Sequence, residues 1–344
     1  MDRSLDRRRD AHAVVFPAIT GLTLDGPVKR FLANGGQTLL LGETREEYLA
    51  RDMSAERKAA ETRDDFIDTV DIAESLAGEI IVAVDQKIGG ISRLHALVPP
   101  FFSTGDWRSA EPETIKAEAF AFGEAAWQLG INCILGPVLD VVTGDNPWLF
   151  GRTVSTDPAI VTHVSTAFIR GVQAAGVAAT AKHFPGHHHI PLDPAENEAA
   201  SVTGDAGSFE TGFGPFEDAI ANGVEAMMVG PALVEAFDKC NPASLSPNVI
   251  NLLRGRFGFR GLVVSDGLDA PAASKGRSIS DVSVDGLKAG CDLVLLAAGD
   301  HLDHVVESIF QAVERGDLEE MRLAEAASRV RAVASKYSRT RSAL

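Results

Sequence analysis

Short, almost continuously apolar runs recur along the whole chain, each set apart from the next by a helix-length stretch. They are Ala13–Ile19, Gln37–Leu41, Glu79–Val84, Ile131–Val138, Val177–Lys182, Glu225–Val229, Leu262–Ser265 and Asp292–Leu296. A strand that is apolar on both faces must be covered on both faces, which is the situation of parallel strands. The intervening segments read as helices. Pro158–Ala175 puts Ile160, Val161, Val164, Phe168 and Val172 on one stripe behind Asp157 as N-cap. Pro112–Leu129 opens on acidic residues and stops at Gly130, Ser208–Ala221 stops at Asn222-Gly223, and Ser280–Ala289 stops at Gly290. Eight such units admit a doubly wound sheet or a closed barrel. No glycine-rich dinucleotide fingerprint follows the first run, which removes the main support for the former. The expectation is an α/β fold, a (β/α)8 TIM barrel in a single domain over residues 1–344. Its barrel spans about residues 11–337, with Leu318–Tyr337 as a terminal helix and Ser338–Leu344 as a frayed tail.

Charge and composition narrow the function. With 48 Asp+Glu against 32 Lys+Arg the net charge is −16, so nothing here would neutralise a phosphate backbone, and a nucleic-acid partner is not expected. No run approaches the roughly 20 apolar residues of a membrane span. Residues 1–20 lack the clean apolar core of a signal peptide, and the expected location is cytoplasmic. Cys133, Cys240 and Cys291 form no CxxC pair, so neither a disulfide framework nor a cysteine zinc site is expected. No cofactor is called for.

The strand ends carry the chemistry. The third run leads into Asp85, the fourth into Asp140, the fifth into Lys182-His183 and the seventh into Asp266. A charge directly after a buried strand is costly unless paired. In a barrel these positions share one rim, the face on which sites are built, and long connections follow at Gln86–Glu111, Val141–Asp157 and Phe184–Ser208. Carboxylates accepting from hydroxyls beside Lys and Arg donors suit a polyhydroxy ligand. Asp140 reads equally well as a structural residue, capping a loop or holding an arginine, or as part of the site. Because a strand sends neighbouring side chains to opposite faces, one of Lys182 and His183 should enter the barrel. Trp107 and Trp148 lie on rim loops, as sugar platforms or as packing against the barrel, and Trp127 belongs to a helical core stripe.

Four segments then match a known pattern in the right order. Ala83–Leu94 (AVDQKIGGISRL), Gly136–Pro158 (GPVLDVVTGDNPWLFGRTVSTDP), Ala181–His187 (AKHFPGH) and Gly258–Leu268 (GFRGLVVSDGL) resemble those of the family 3 glycoside hydrolases. The likeness is strongest to the single-domain bacterial β-N-acetylhexosaminidases. The resemblance implies a retaining glycosidase on a β-linked sugar, N-acetylglucosamine or a relative, with a carbohydrate or glycoside small molecule as partner and the oligomeric state left open. It makes Asp266 the nucleophile that forms a covalent glycosyl-enzyme. It also implies that Asp85, Arg152, Lys182, His183 and His187 bind the sugar, with Arg93 a further candidate.

The departures concern proton transfer. By the family's spacing Asp193 is retained, but Ala195 stands where the acid/base His belongs, and alanine carries no proton. The sixth strand reads Met228-Val229-Gly230-Pro231 in place of an M-P-x-H pattern, Lys87 replaces Glu, and Gly267 replaces the second Asp of SDDL. Three readings stand open. Another residue of Phe184–Ala200 carries the proton, with His188, His189, Asp193, Glu196 and Glu198 available. Or the leaving group needs no acid. Or the protein binds sugar without cleaving it. Separately, His183, His187 and a rim Asp would make a zinc site if they converged, although the adjacent His187-His188-His189 do not have metal-ligand spacing.

Overall fold

The computed structural model describes residues 3–86, 88–101 and 106–339. Its eight barrel strands are Val15–Ile19, Thr38–Leu41, Ile81–Val84, Cys133–Ile134, Ala178–Phe184, Ala226–Val229, Leu262–Ser265 and Val294–Ala297. All neighbours are parallel, and the sheet runs from the eighth strand through the first to the seventh. A bridge between Val264 and Leu293, with the Ser265 amide donating to the Leu293 carbonyl at 2.9 Å, closes the ring. The fold is the expected α/β barrel.

Each strand divides its side chains between two cores. Ile81, Ala83, Ala226, Met228, Leu262, Val264 and Leu295 fill the interior. Val82, Val84, Leu39, Leu41 and Val263 face the surrounding helices. The last helix, Glu320–Lys336, plugs the bottom of the barrel with Val330, Val333 and Ala334. Nearby, the buried Asp292 takes ion pairs from Arg254, Arg322 and Arg329. The filled bottom leaves the opposite rim for a cavity.

Three local expectations are corrected. The fourth strand pairs over only two residues, because Pro137 has no N–H to give and the ladder resumes as a single bridge from Val138 to Lys182. A helix over Arg3–Ala13 precedes the first strand, tied by Arg7 to Glu314 and Glu320 and by Arg8 to Glu307. The tail does not fray at Ser338: Ser338 is buried and Arg339 pairs with Glu74 and Asp71, while residues 340–344 lie outside the described residues. Among the described residues no helix is long and apolar enough to cross a membrane.

Candidate active site

A cavity of about 540 Å³ opens at the C-terminal rim, lined by residues that include Asp85, Arg152, Lys182, His183 and Asp266. Five of the expected site residues therefore meet in one place. Lys182 and His183 both line it, against the expected alternation, because the ladder with the sixth strand slips between Lys182 and Phe184. Lys182 Nζ sits 3.0 Å from Asp85 Oδ1, with both side chains largely buried. Neither charge is left alone, which matters because breaking such a pair typically costs about 3–5 kcal/mol.

His183 is fixed from behind. Its Nδ1 lies 2.7 Å from Asp140 Oδ2, and the backbone amides of His183 and His187 donate to the same carboxylate at 3.0 and 2.6 Å. Asp140 is fully buried and does not line the cavity, so its role is to orient. Burial alone would raise its carboxyl, but His183 and the hydrogen bonds from His183 and His187 hold it well below the usual carboxylate range. Burial pushes the His183 imidazole down to about 4 despite Asp140, which leaves the ring neutral at pH 7. With its one proton on Nδ1 facing Asp140, Nε2 is an acceptor, 3.8 Å from Asp266 Oδ2.

Trp148 is buried and covers His183, their ring centroids 4.5 Å apart. Its Nε1 donates to the Tyr48 hydroxyl at 2.9 Å. Arg152 donates through Nη1 to the Trp148 carbonyl at 3.1 Å and to Tyr48 at 3.3 Å, while its Nε is buried without a hydrogen-bond partner. Burial pushes the Tyr48 phenol up, so it keeps its proton. Asp266 follows the seventh strand, and its Oδ1 accepts from the Gly267 amide at 2.7 Å.

Other expected residues lie elsewhere. Arg93 is fully buried away from the cavity, with its guanidinium forked onto Glu61 at 2.6 and 2.9 Å and its Nε on the Gly42 carbonyl. His187 is buried behind the wall, against Trp148 at 5.2 Å. A Cβ at Gly230 would come within 2.0 Å of its ring, so glycine there makes its burial possible. In the loop after the fifth strand, Ala195 lines the cavity, but His189, Asp193 and Glu196 do not. Asp193 Oδ1 caps the turn by accepting from the Ala195 amide at 2.8 Å, His189 lies against Gly144, and the exposed Glu196 faces Arg45 at 3.9 Å. The three adjacent histidines diverge, since His188 meets Phe209 edge-to-face with ring centroids 4.6 Å apart. Among the described residues no cluster of three His, Cys, Asp or Glu is placed to hold a metal ion. Trp107 packs on the outer core, and Lys87 lies outside the described residues.

Tyr48, Glu43, Arg45 and Asp269 line the cavity without having been foreseen. Tyr48 and Arg45 sit on the short helix Arg45–Ala50, set by a capping box of Thr44 and Glu47, which follows a short connection that carried no rim signal. Asp269 lies beyond the SDGL segment that drew attention to Asp266.

Residues 46–333 match the glycosyl hydrolase family 3 N terminal domain. The chain belongs to this family. It is 32% identical over 240 residues to a beta-hexosaminidase of Xylella fastidiosa, covering 65% of this chain and 69% of that one. Its fold superposes on a family 3 beta-N-acetylglucosaminidase from a Paenibacillus species with a TM-score of 0.85 and 26% identity, over 96% of this chain and 62% of the other. A beta-N-acetylhexosaminidase from Beutenbergia cavernae has the same fold, with a TM-score of 0.80 and 24% identity over 97% and 99% of the two chains. The protein is thus a β-N-acetylhexosaminidase-like member of a glycoside hydrolase family.

Proposed function

We propose that this protein is a retaining glycosidase that cleaves a terminal β-linked N-acetylglucosamine or a close relative. The carrying observation is that Asp266 shares one cavity with the Asp85–Lys182 pair, Arg152 and the acceptor Nε2 of His183. The sugar sits with its hydroxyls on Asp85, Lys182, Arg152 and His183, and its anomeric carbon faces Asp266. The carboxylate attacks that carbon, the bond to the leaving oxygen breaks, and a glycosyl ester forms. Water then cleaves the ester with a second inversion, so configuration is kept. The polar cluster is held by Asp140 and Trp148 before substrate arrives, which reduces the reorganisation the reaction has to supply. The 2-acetamido preference rests on the names of the relatives.

The proton-transfer machinery departs from that of the relatives, because Ala195 faces the cavity where they are expected to carry a His. The test is release of p-nitrophenol from p-nitrophenyl N-acetyl-β-glucosaminide, with Asp266→Asn as control and NMR of the first-formed anomer. Turnover that depends on Asp266 and yields the β-anomer is expected. Sugar binding by calorimetry with no release from any activated glycoside would establish a binding protein in its place.

A further inference from the structure

The identity of the proton carrier follows from what the cavity contains, and it rests on the glycosidase reading above. The leaving oxygen needs a proton in the first step and water must lose one in the second. Ala195 can do neither. His183 has its one proton committed to Asp140, and Asp85 is held by Lys182. With Asp266 as nucleophile, the other carboxyl groups lining the cavity are Glu43 and Asp269.

The geometry points to Asp269 as the general acid and base. It lies on the same rim turn as the nucleophile, three residues on. A Cβ at Gly267 would stand 3.3 Å from Asp269 Oδ1, so the glycine that replaces an Asp of the family's pattern leaves room for this carboxylate to lie back beside Asp266. The turn is also tied to the defective loop. The Ala272 amide donates to the Pro194 carbonyl at 3.2 Å, and Ala195, Ala270 and Pro271 line the cavity together. Asp269 therefore enters from the side on which the missing His would have stood.

Its electrostatics agree with that role. Asp269 is open to the cavity mouth, yet the surrounding rim withholds enough solvent to push its carboxyl up, and the charge of Asp266 adds to this. The backbone amides of Asp269 and Ala297 and the nearby His301 act in the opposite direction without cancelling it. Arg45 and Glu43 line the same cavity. An acid raised by a neighbouring carboxylate loses that influence once the neighbour becomes an ester, so the same group turns from donor to acceptor between the two steps. In the first step the Asp269 carboxyl gives its proton to the glycosidic oxygen as the C1–O bond breaks and the C1–Asp266 bond forms. In the second, water adds to C1, its proton goes to Asp269, and the Asp266 carboxylate leaves.

The experiment compares Asp269→Asn and Asp269→Ala with the wild type on a phenyl and a 2,4-dinitrophenyl N-acetyl-β-glucosaminide. The phenyl substrate, which needs an acid, should lose about 10²-fold or more in kcat/KM. The dinitrophenyl substrate should show a near-normal burst followed by a slow steady state. Azide should restore that steady state in Asp269→Ala and yield the β-glycosyl azide, and the alkaline limb of the pH profile should flatten. Equal slowing of both substrates with no azide effect and an unchanged pH profile would overturn the assignment, as would the same signature arising in Glu43→Gln. If the wild type forms no glycosyl adduct on Asp266 with a fluorosugar, it is the glycosidase reading that fails. An adduct together with an unaffected Asp269→Asn removes Asp269 alone.

Discussion

The two halves of the segment that ends the fifth strand and leads away from it are built to different standards. Lys182–His187 is wholly buried; Lys182 is tied to Asp85, and the His183 ring and His187 amide to Asp140, with Trp148 packed over His183. From His188 onward burial is broken: Ile190, Pro194, Ala195 and Ala200 are buried, while Pro191, Leu192 and residues 196–199 are exposed. His189, Asp193 and Glu196 turn to Gly144, to the loop backbone and to Arg45, His188 meets Phe209, and the residue that reaches the cavity is an alanine. In the proposed function the first half holds the ligand and orients it. The second half holds itself. Under the proposed assignment, positioning stays on rigid strand ends while proton transfer moves to another turn.

That contrast can be broken in four ways. The largest effect belongs to the proposed nucleophile: Asp266→Asn should lower kcat on an aryl glycoside by on the order of 10⁴-fold, about 5.5 kcal/mol of barrier, with an unchanged circular dichroism spectrum. Next is Asp140→Ala, which leaves two backbone amides and the His183 ring without their acceptor. A loss of about 3–5 kcal/mol in urea unfolding is expected, and a loss under 1 kcal/mol would mean that the buried half is less tightly built than its geometry indicates.

Third is the pH dependence of stability. The folded state keeps His183 neutral down to about pH 4, whereas an unfolded imidazole takes up a proton near its ordinary 6.5. This stability is present above pH 6.5 and is lost as pH falls toward 4, with a magnitude on the order of 3 kcal/mol. Asp140, held low, contributes in the same direction at still lower pH, below about 3.8. Urea midpoints between pH 7.5 and 4.5 for the wild type and His183→Gln measure it, and the slope should be shallower in the variant. The smallest effects are those of His189→Ala and Glu196→Gln. Each should alter kcat by less than about threefold, since neither side chain lines the cavity, and a hundredfold loss from either would erase the distinction between the two halves.

Sequence carried the barrel because its evidence is local: apolar runs of strand length, capping residues such as Asp157, which accepts from the Ala159 amide at 2.8 Å, and glycines that stop helices. It did not carry the Arg3–Ala13 helix, whose stabilising partners lie about 300 residues away. At the site, strand ends located Asp85, Lys182, His183 and Asp266. A motif gives a position along the chain and says nothing of depth, which is why Arg93 and His187 were expected in the cavity and lie behind it. Asp269 and Tyr48 follow no periodicity. They reach the cavity through the packing of short segments against one another, which only the assembled fold defines.

The measurement closest to the central claim is mass spectrometry of the intact protein and its peptides after incubation with a slow-reacting fluorinated N-acetylglucosaminyl fluoride. A single added sugar on the peptide that contains Asp266, absent from Asp266→Asn, is the predicted result. Hydrolysis without any such adduct, giving product of inverted configuration, would contradict the account.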